Sequence, residues 1–557
     1  MRSNKWIKFA LVVIALIALN ILAQFFYHRF DFTTDKRFTL SDKTKTLLKD
    51  NDKPIIVTVF LEGKLPPAFK RLQTSVKDLL DDYKAYSKTE VKVVFVDPLE
   101  GLNQADQDTV IYNLYQNGIE GTNLSVKTES GLTQKLVFPM AMIESDGKQM
   151  PVKLFQNFDA GGNYEENINR SIENLEYTFT SSIKKVIKGQ NARIGFTEAN
   201  GELSDLQLHD AINTLSSSYE VGRVNLKTID KAGLDKLKVL IIAKPNQPFT
   251  ETEKYKINYF VMNGGHVVWS LDQVKADLDS LQGQAGQMVV GNKLNLDDML
   301  FVYGARINYN VLADGNCTEI PVATGGGNTQ IQLMPWLFYP ILQPDSAHIL
   351  VKNLDGIKSE FPSTVDSIGN RNVKKTFILN TSSYNKVFNV PKMFSLQMVA
   401  SLPNPKDFLN DPQHVALLLE GNFTSVFAGR PLPEGITAPY SVEQSTKPAK
   451  MVVIGDGDIF KNDINKRDNS PFPLGFERYT QHNYGNKALL LNLVDYFTDA
   501  DNLISLRDKE VKIRLLDKSK VKEEKLKWQL INVVAPLLLL IFFAIFQHYY
   551  RKYKYAR

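Results

Sequence analysis

Residues 239–270 read VLIIAKPNQPFTETEKYKINYFVMNGGHVVWS, and three successive patterns in them decide the fold. Val239 to Ala243 is a short uninterrupted apolar run, as expected of a strand buried on both faces. Thr250-Glu251-Thr252-Glu253 is a capping box: the Thr250 hydroxyl can accept from the Glu253 amide while the Glu253 side chain reaches back. The helix so opened stops at Asn263-Gly264-Gly265, where glycine takes a left-handed turn, and His266 to Ser270 returns as a second strand. A strand follows the glycine pair rather than a helix, so the pair reads as a helix stop and not as a phosphate cradle.

The same alternation extends outward. Arg193 to Thr197 is a strand ending in the loop Glu198-Ala199-Asn200-Gly201-Glu202, and Asp205 to Ser217 reads as a helix. Downstream, Phe377 to Leu379, Val415 to Leu419 and Met451 to Ile454 read as buried strands, and Asn486 to Phe497 as an apolar helix. The stretch 276–370 is rich in glycine, asparagine and proline and reads as an elaboration of this domain. A second α/β pattern lies upstream. Ser41 can cap a short helix from Asp42 to Lys49, Ile55 to Leu61 is a β-branched strand, and Pro67 opens a helix to about Ser87. Phe69, Leu72, Val76, Leu79, Leu80 and Tyr83 give that helix one apolar face, and Val91 to Val96 is the strand after it. Strands or a hairpin follow over 124–144, with Asp146-Gly147 as a turn, and a long helix runs from about Tyr164 to Ile187.

Each end of the chain carries 19 charge-free apolar residues, Phe9 to Tyr27 and Trp528 to Phe546. As a helix each would be roughly 28 Å long, close to the thickness of a bilayer core. Trp528 and Tyr549, Tyr550 and Tyr553 flank the second run like an interfacial belt, and Pro536 inside it is tolerable in lipid. The flanks Arg2, Lys5 and Lys8 and the tail Arg551, Lys552, Lys554 and Arg557 are wholly basic. The positive-inside rule then puts both termini in the cytoplasm and the middle outside, although the segment before the second run is lysine-rich too. The first run is longer than a signal-peptide core and lacks a clean cleavage site, which favours an anchor.

Composition excludes little else. Charged residues are 23% with a net charge of +5, an ordinary globular balance and no nucleic-acid footprint. One cysteine, Cys317, precludes an internal disulfide. No Walker loop exists, because Gly325-Gly326-Gly327 runs into Asn328 and Thr329, and neither Gly63-Lys64 nor Gly147-Lys148 precedes Ser or Thr. His28, His209, His266, His348, His414, His482 and His548 show no metal-ligand spacing, and Cys317 lacks a glycine-flanked elbow. No catalytic residue, cofactor site or metal site is expected. Three acidic loops follow strands: Glu198, Asn200, Gly201 and Glu202; Asp272; and Asp456 with Asp458. Ligands of open α/β sheets bind at carboxyl ends of strands, which makes these loops the candidate crevice; Asp, Asn and Gly are equally good plain turn residues there.

Several motifs in order carry a resemblance: DFTTDKRFTLS at 31–41 after the first apolar run, Gly201-Glu202, Phe249 to Tyr255 leading to Asn263-Gly264-Gly265, Val453-Ile454-Gly455-Asp456-Gly457-Asp458, and an apolar run with a basic tail at the end. Together they resemble the auxiliary subunits of ABC-2-type transporters, and among these the GldG gliding-motility subunits of Bacteroidota. The resemblance covers nearly the whole chain. It implies a non-enzymatic inner-membrane protein working with a separate cytoplasmic ATPase and a separate permease, in contact with lipid and with an unknown periplasmic ligand possible; no binding residue transfers. The expected architecture is α/β: two extracytoplasmic α/β domains, the first thioredoxin-like (28–190) and the second an open, mostly parallel sheet (191–505). A transmembrane helix flanks them at each end, 1–27 with its cytoplasmic start and 528–547, the latter after a charged stalk (506–527) and before a basic tail (548–557). The alternatives are an envelope scaffold without a transporter and, less in keeping with the residues, an amidotransferase-like enzyme.

Overall fold

The computed structural model describes residue 9 and residues 12–16, 39–128, 131–155, 164–188, 192–281, 286–324, 330–369, 372–399, 405–436, 445–499, 501–508 and 518–555. It is a mixed α/β structure whose contacts divide the chain into two compact units, 1–509 and 510–557. The expected first span, Phe9 to Tyr27, lies outside the described residues except for helical positions at 9 and 12–16.

In the first unit, α1 (Asp42–Asp50) starts at Ser41, whose hydroxyl accepts from the Thr44 amide. Then come β1 (Ile55–Val59), α2 (Pro67–Tyr86) and β2 (Val91–Phe95), and β1 and β2 pair in parallel as a crossover requires. A helix the sequence reading missed, α3 (Gln104–Gln116), precedes the hairpin of β3 (Thr122–Thr128) and β4 (Gly131–Val137). A second hairpin, β5 (Met140–Ser145) and β6 (Lys148–Lys153), turns at Asp146-Gly147, both with positive φ, which sets the right twist for a two-residue loop. The sheet order is β2-β1-β5-β6, with β5 antiparallel to β1. The helix α4 (Tyr164–Lys188) closes its core through Ile168, Leu175, Phe179 and Ile183.

The larger sheet begins with β7 (Arg193–Glu198), α5 (His209–Ser216), β8 (Glu220–Asn225), α6 (Lys231–Lys236), β9 (Leu237–Ala243), α7 (Glu251–Met262) and β10 (His266–Ser270). Its other long strands are β11 (Cys317–Thr324), β12 (Gln330–Pro344), β13 (Val373–Asn380), β14 (His414–Gly421) and β15 (Ala449–Ile454). The order is β11-β12-β13-β14-β15-β10-β9-β7-β8. The strands β8, β7, β9, β10 and β15 are parallel, whereas β14, β13, β12 and β11 each join antiparallel. The sheet is therefore mixed rather than mostly parallel, because the elaborated half is threaded by hairpin-type returns instead of helical crossovers. The helix expected from Asp205 starts only at His209; Ser204 turns on the Gln207 amide oxygen and residues 205–208 form a turn.

Alternate residues of the parallel strands feed two cores. Ile241, Val268 and Val452 face α5 and α8 (Asn486–Thr498), while Leu240, Ile242, Trp269 and Val453 face α7. Covered on both sides, these strands read as continuous apolar runs. The two layers of this unit join along α4: Lys185 pairs with Asp495 at 2.8 Å, and Lys184 with Asp501 at 2.9 Å and Asp499 at 3.4 Å. Burial pushes the Asp495 carboxyl up, but Lys185 and the hydroxyls of Tyr219 and Tyr177 outweigh it and hold the group below its ordinary range.

Among the described residues the second unit holds one helix, α9 (Lys518–Tyr555), of 38 residues with Pro536 inside it. The lysine-rich stalk from Lys518 and the apolar span expected from Trp528 are thus continuous. Its stretch Glu523–Lys554 is long and apolar enough to cross a membrane.

Gly455 follows β15 where the chain passes under Ser363; its amide donates to Val415 O at 2.9 Å and a Cβ would fall against the Ser363 carbonyl. Gly455→Ala is expected to destabilise the protein by about 1–3 kcal/mol. Gly222→Ala, at a position with open space around it, is expected to change stability little. Urea unfolding of the two variants distinguishes them, and equal midpoints would contradict the close approach.

Candidate functional site

Because β7, β9, β10 and β15 run parallel, their carboxyl ends share one edge of the sheet, with Ala243, Ser270 and Ile454 in register. The chain leaves β9 through Lys244, whose φ of 52° turns it sharply and whose amide donates to Ser270 O at 2.9 Å. From there its ammonium reaches Asp272 at 3.1 Å and Asp458 in a shorter contact. Asp458 also pairs with Lys461, which bonds Glu360 at 2.8 Å. Asp456 is completely buried; its carboxylate accepts from the Asp458 amide at 2.7 Å and the Glu360 amide at 3.1 Å. The Asp272 carboxylate accepts from the Gly457 amide at 2.6 Å, and a Cβ on Gly457 would lie 2.8 Å from it, so glycine permits the approach. Lys358 continues the network to Glu477 at 3.0 Å and Asp463 at 3.1 Å.

The electrostatics sort these acids. For Asp458, burial works upward, but the ammoniums of Lys244 and Lys461 prevail and hold its carboxyl below the carboxylate range. Burial, with Asp458 and Asp272 beside it, drives Asp456 well up; Asp272 and Glu360 are also raised, by burial first. One oxygen from each of Asp272, Asp456 and Asp458 lies within 4.8 Å of the others. That spacing suits a cation, but Lys244 already contributes the positive charge, so the trio acts as an ion-pair lattice tying three strand ends together. Beside it opens a cleft of about 1270 Å³, walled by Lys244, Glu360, Lys461 and Asn462 on one side and by Ile320, Met334 and Leu396 on another. Mixed charge and apolar walls can accommodate a polar chain or an amphipathic ligand.

Sequence reading anticipated Asp272, Asp456 and Asp458, and the structure brings them together. It sets the other loop apart. Glu198 lies 3.5 Å from Arg223; Asn200 is buried, and its carbonyl accepts from the Asn246 and Gln247 amides at 2.9 Å each. Ala199 and Gly201 both have positive φ, and Glu202 folds back onto the Asn200 amide at 2.6 Å. Lys244, Lys358, Glu360 and Lys461 were missed. The signals available were a lysine directly after VLIIA and a lysine three residues beyond Asp458.

Lys244→Met leaves two buried carboxylates without their shared cation, at an expected cost of about 3 kcal/mol at neutral pH. Asp458 has a depressed value, so its contribution is present above the unfolded carboxylate range near 4 and is lost as pH falls through its folded value. Without Lys244 the carboxyls of Asp458 and Asp272 lose the charge that lowers them, so the variant takes up protons at a higher pH than wild type and its deficit should shrink as pH falls from 7 toward 4.5. Chemical unfolding at pH 7 and pH 4.5 measures this, and a deficit independent of pH would refute the ion-pair assignment.

Comparisons with known proteins place the chain. Residues 191–493 match the family described as ABC-type uncharacterized transport system, and residues 34–144 match a domain of unknown function, DUF7088. An uncharacterized protein of Borreliella burgdorferi is 22% identical over 544 residues, spanning 96% of this chain and 95% of its own. Among solved structures, the mmIFT52 N-terminal domain covers 56% of this chain and 99% of its own, with a TM-score of 0.31 at 13% identity. A ThuA-like protein from Parabacteroides merdae covers 56% and 90%, with a TM-score of 0.26 at 10% identity. Neither score is high enough to argue from. The family match takes in more than half of the chain and the whole of the sheet that carries the cleft, and the chain belongs to that family, as an auxiliary component of an ABC-type transport system.

Proposed function

We propose that the chain is a non-enzymatic, two-pass inner-membrane subunit that works with a separate cytoplasmic ATPase and an ABC-2-type permease, in the manner of the GldG gliding-motility subunits of Bacteroidota. In this reading both termini are cytoplasmic. Residues 28–190 and 191–505 form two periplasmic α/β domains, the first thioredoxin-like, and the loops at Glu198 to Glu202, Asp272 and Asp456 to Asp458 border the surface offered to a partner or ligand. The strand order β2-β1-β5-β6, with a parallel crossover and an antiparallel hairpin, supports the thioredoxin-like assignment.

The observation that carries the reading is where the folded body begins and ends. Lys43, at the start of α1, donates to Asn502 O at 2.6 Å and to Ser505 Oγ at 2.7 Å. The residues just after the first apolar segment and those just before the stalk of α9 are thus clamped side by side. A domain anchored twice to one membrane face needs that closure. Support for a non-enzymatic role comes from Cys317, whose thiol burial pushes up to about 12, with Asp314 and Glu319 adding to it. A thiol held that high carries little thiolate at neutral pH.

Affinity purification of the tagged chain from detergent-solubilised membranes is expected to recover a P-loop ATPase and a multispanning permease. Recovery as a lone species would favour an envelope scaffold instead. Labelling of an added cysteine in the 198–202 loop by an impermeant thiol reagent in spheroplasts is expected; protection there would overturn the orientation.

A further inference from the structure

At and beyond the carboxyl end of β7, three neighbouring segments carry four buried oxygens: Thr197 Oγ1 on the strand, Asn200 Oδ1 and Glu202 Oε1 on the loop, and Glu253 Oε1 in the first turn of α7. None has a hydrogen-bond partner. Thr197, Asn200 and Glu253 are only 1%, 2% and 1% exposed.

Contacts already on these residues fix them near one another. Asn200 receives both carboxylates: its amide N donates to Glu202 Oε2 at 2.6 Å, and its side-chain Nδ2 donates to Glu253 Oε2 at 3.3 Å. Thr197 joins from the strand. Side chains alternate along β7, so Thr197 points away from Ile194 and Phe196, which face α5, and toward the side covered by α7, the helix bearing Glu253. The capping box accounts for one oxygen of Glu253, which accepts from the Thr250 amide and hydroxyl at 2.8 Å each; it leaves the other unused. The N-terminus of α7 favours one negative charge here, not two beside each other.

Nearby ammoniums are committed elsewhere. Lys227 Nζ donates to Ala199 O at 3.0 Å, and Lys256 Nζ to Leu226 O at 2.8 Å and Lys227 O at 3.2 Å. Among the described residues no ion pair reaches Glu202 or Glu253. This contrasts with the Asp272, Asp456 and Asp458 lattice, where Lys244 sits among the acids.

We propose that these four groups hold a divalent cation, calcium, at the edge where β7 meets β9. Two carboxylates, an amide oxygen and a hydroxyl form an all-oxygen donor set, which hard cations prefer. Irregular placement on strand, loop and helix suits calcium's loose coordination better than the strict octahedron of magnesium. Bound there, the ion would pin the 198–202 loop, and through the Asn200 carbonyl the turn after β9, against α7. The site stands independently of the transporter reading.

The test uses the full chain, purified in detergent after chelator treatment, and titrates CaCl2 by calorimetry alongside thermal unfolding with and without calcium. One site with a dissociation constant of about 0.1–1 mM is expected, the range of extracellular calcium modules, with a rise in unfolding temperature. Glu202→Gln and Thr197→Val should each weaken binding about tenfold or more, whereas Asp272→Asn should leave it unchanged. Thr197→Val exchanges one hydroxyl for one methyl and keeps the strand, so it carries the test if Glu202→Gln folds poorly. No calcium binding by wild type up to about 10 mM would overturn the proposal, as would binding that survives both variants or is lost in Asp272→Asn.

Discussion

Burying β9, β10 and β15 on both faces is the constraint from which the rest follows. Every residue of β10 is buried, and so are the last five of β9. Such strands need a cover on each side, and the chain supplies α7 on one face and α5 with α8 on the other. Helical crossovers then force the strands parallel, and parallel strands put all their carboxyl ends on one edge. At that edge Lys244, Asp272, Asp456, Asp458, Lys461 and Glu360 come from loops after different strands and gather into one largely buried network.

Networks at that edge are of two kinds, and the difference is charge balance. Around Asp458 each ionised carboxylate has an ammonium within hydrogen-bond reach, and the acid with the least access to one, Asp456, is the one that burial raises most clearly. Such a lattice is a fixed structural tie, since breaking a buried pair leaves an uncompensated charge. At the end of β7 the carboxylates of Glu202 and Glu253 share only an asparagine. Identical strand-end geometry thus gives a closed site in one place and an open one a strand or two away.

What the sequence disclosed follows the same physics. The parallel strands β7, β9, β10 and β15 were legible because burial writes uninterrupted apolar runs, whereas the half-exposed edge strand β8 was not read at all; the capping box at Thr250 appears as drawn, with both reciprocal bonds made. The helix at Gln104–Gln116 was missed because its apolar residues crowd into the second half, Val110 to Tyr115, where Ile111 and Leu114 pack inward but Tyr112 and Tyr115 are exposed, so no stripe at helical spacing runs its length. The strand Gln330–Pro344 was hidden by its prolines, which ordinarily argue against a strand; here Pro335 and Pro340 pair across to Glu319 and Cys317 around a bulge. Of the candidate site, the aspartates were legible as acids after strands. Their lysines and Glu360 were not, because Lys244–Asp458, Lys461–Glu360 and Lys358–Asp463 pair across 214, 101 and 105 positions and leave no local pattern, and Glu360 sits in a stretch without periodicity.

Both ends of the folded body are held on one helix. Ser41 N bonds Glu176 of α4 at 2.7 Å, Thr44 bonds the same carboxylate at 2.9 Å, and α4 pairs through Lys184 and Lys185 with Asp495, Asp499 and Asp501 near the other end of the body. One helix of 25 residues, α4, therefore carries both ends. Partly exposed ion pairs contribute at most about 1 kcal/mol each, so the seam is firm by number and not by any single bond. The larger sheet is packed on both faces. The cleft beside Asp458 and the loop at Glu202 lie at the carboxyl edge, opposite the strand starts where Ala192 and Leu237 line a cavity with Tyr177 and Lys185 of α4. The sheet is therefore held at its α4 edge and carries its charged groups at the opposite edge.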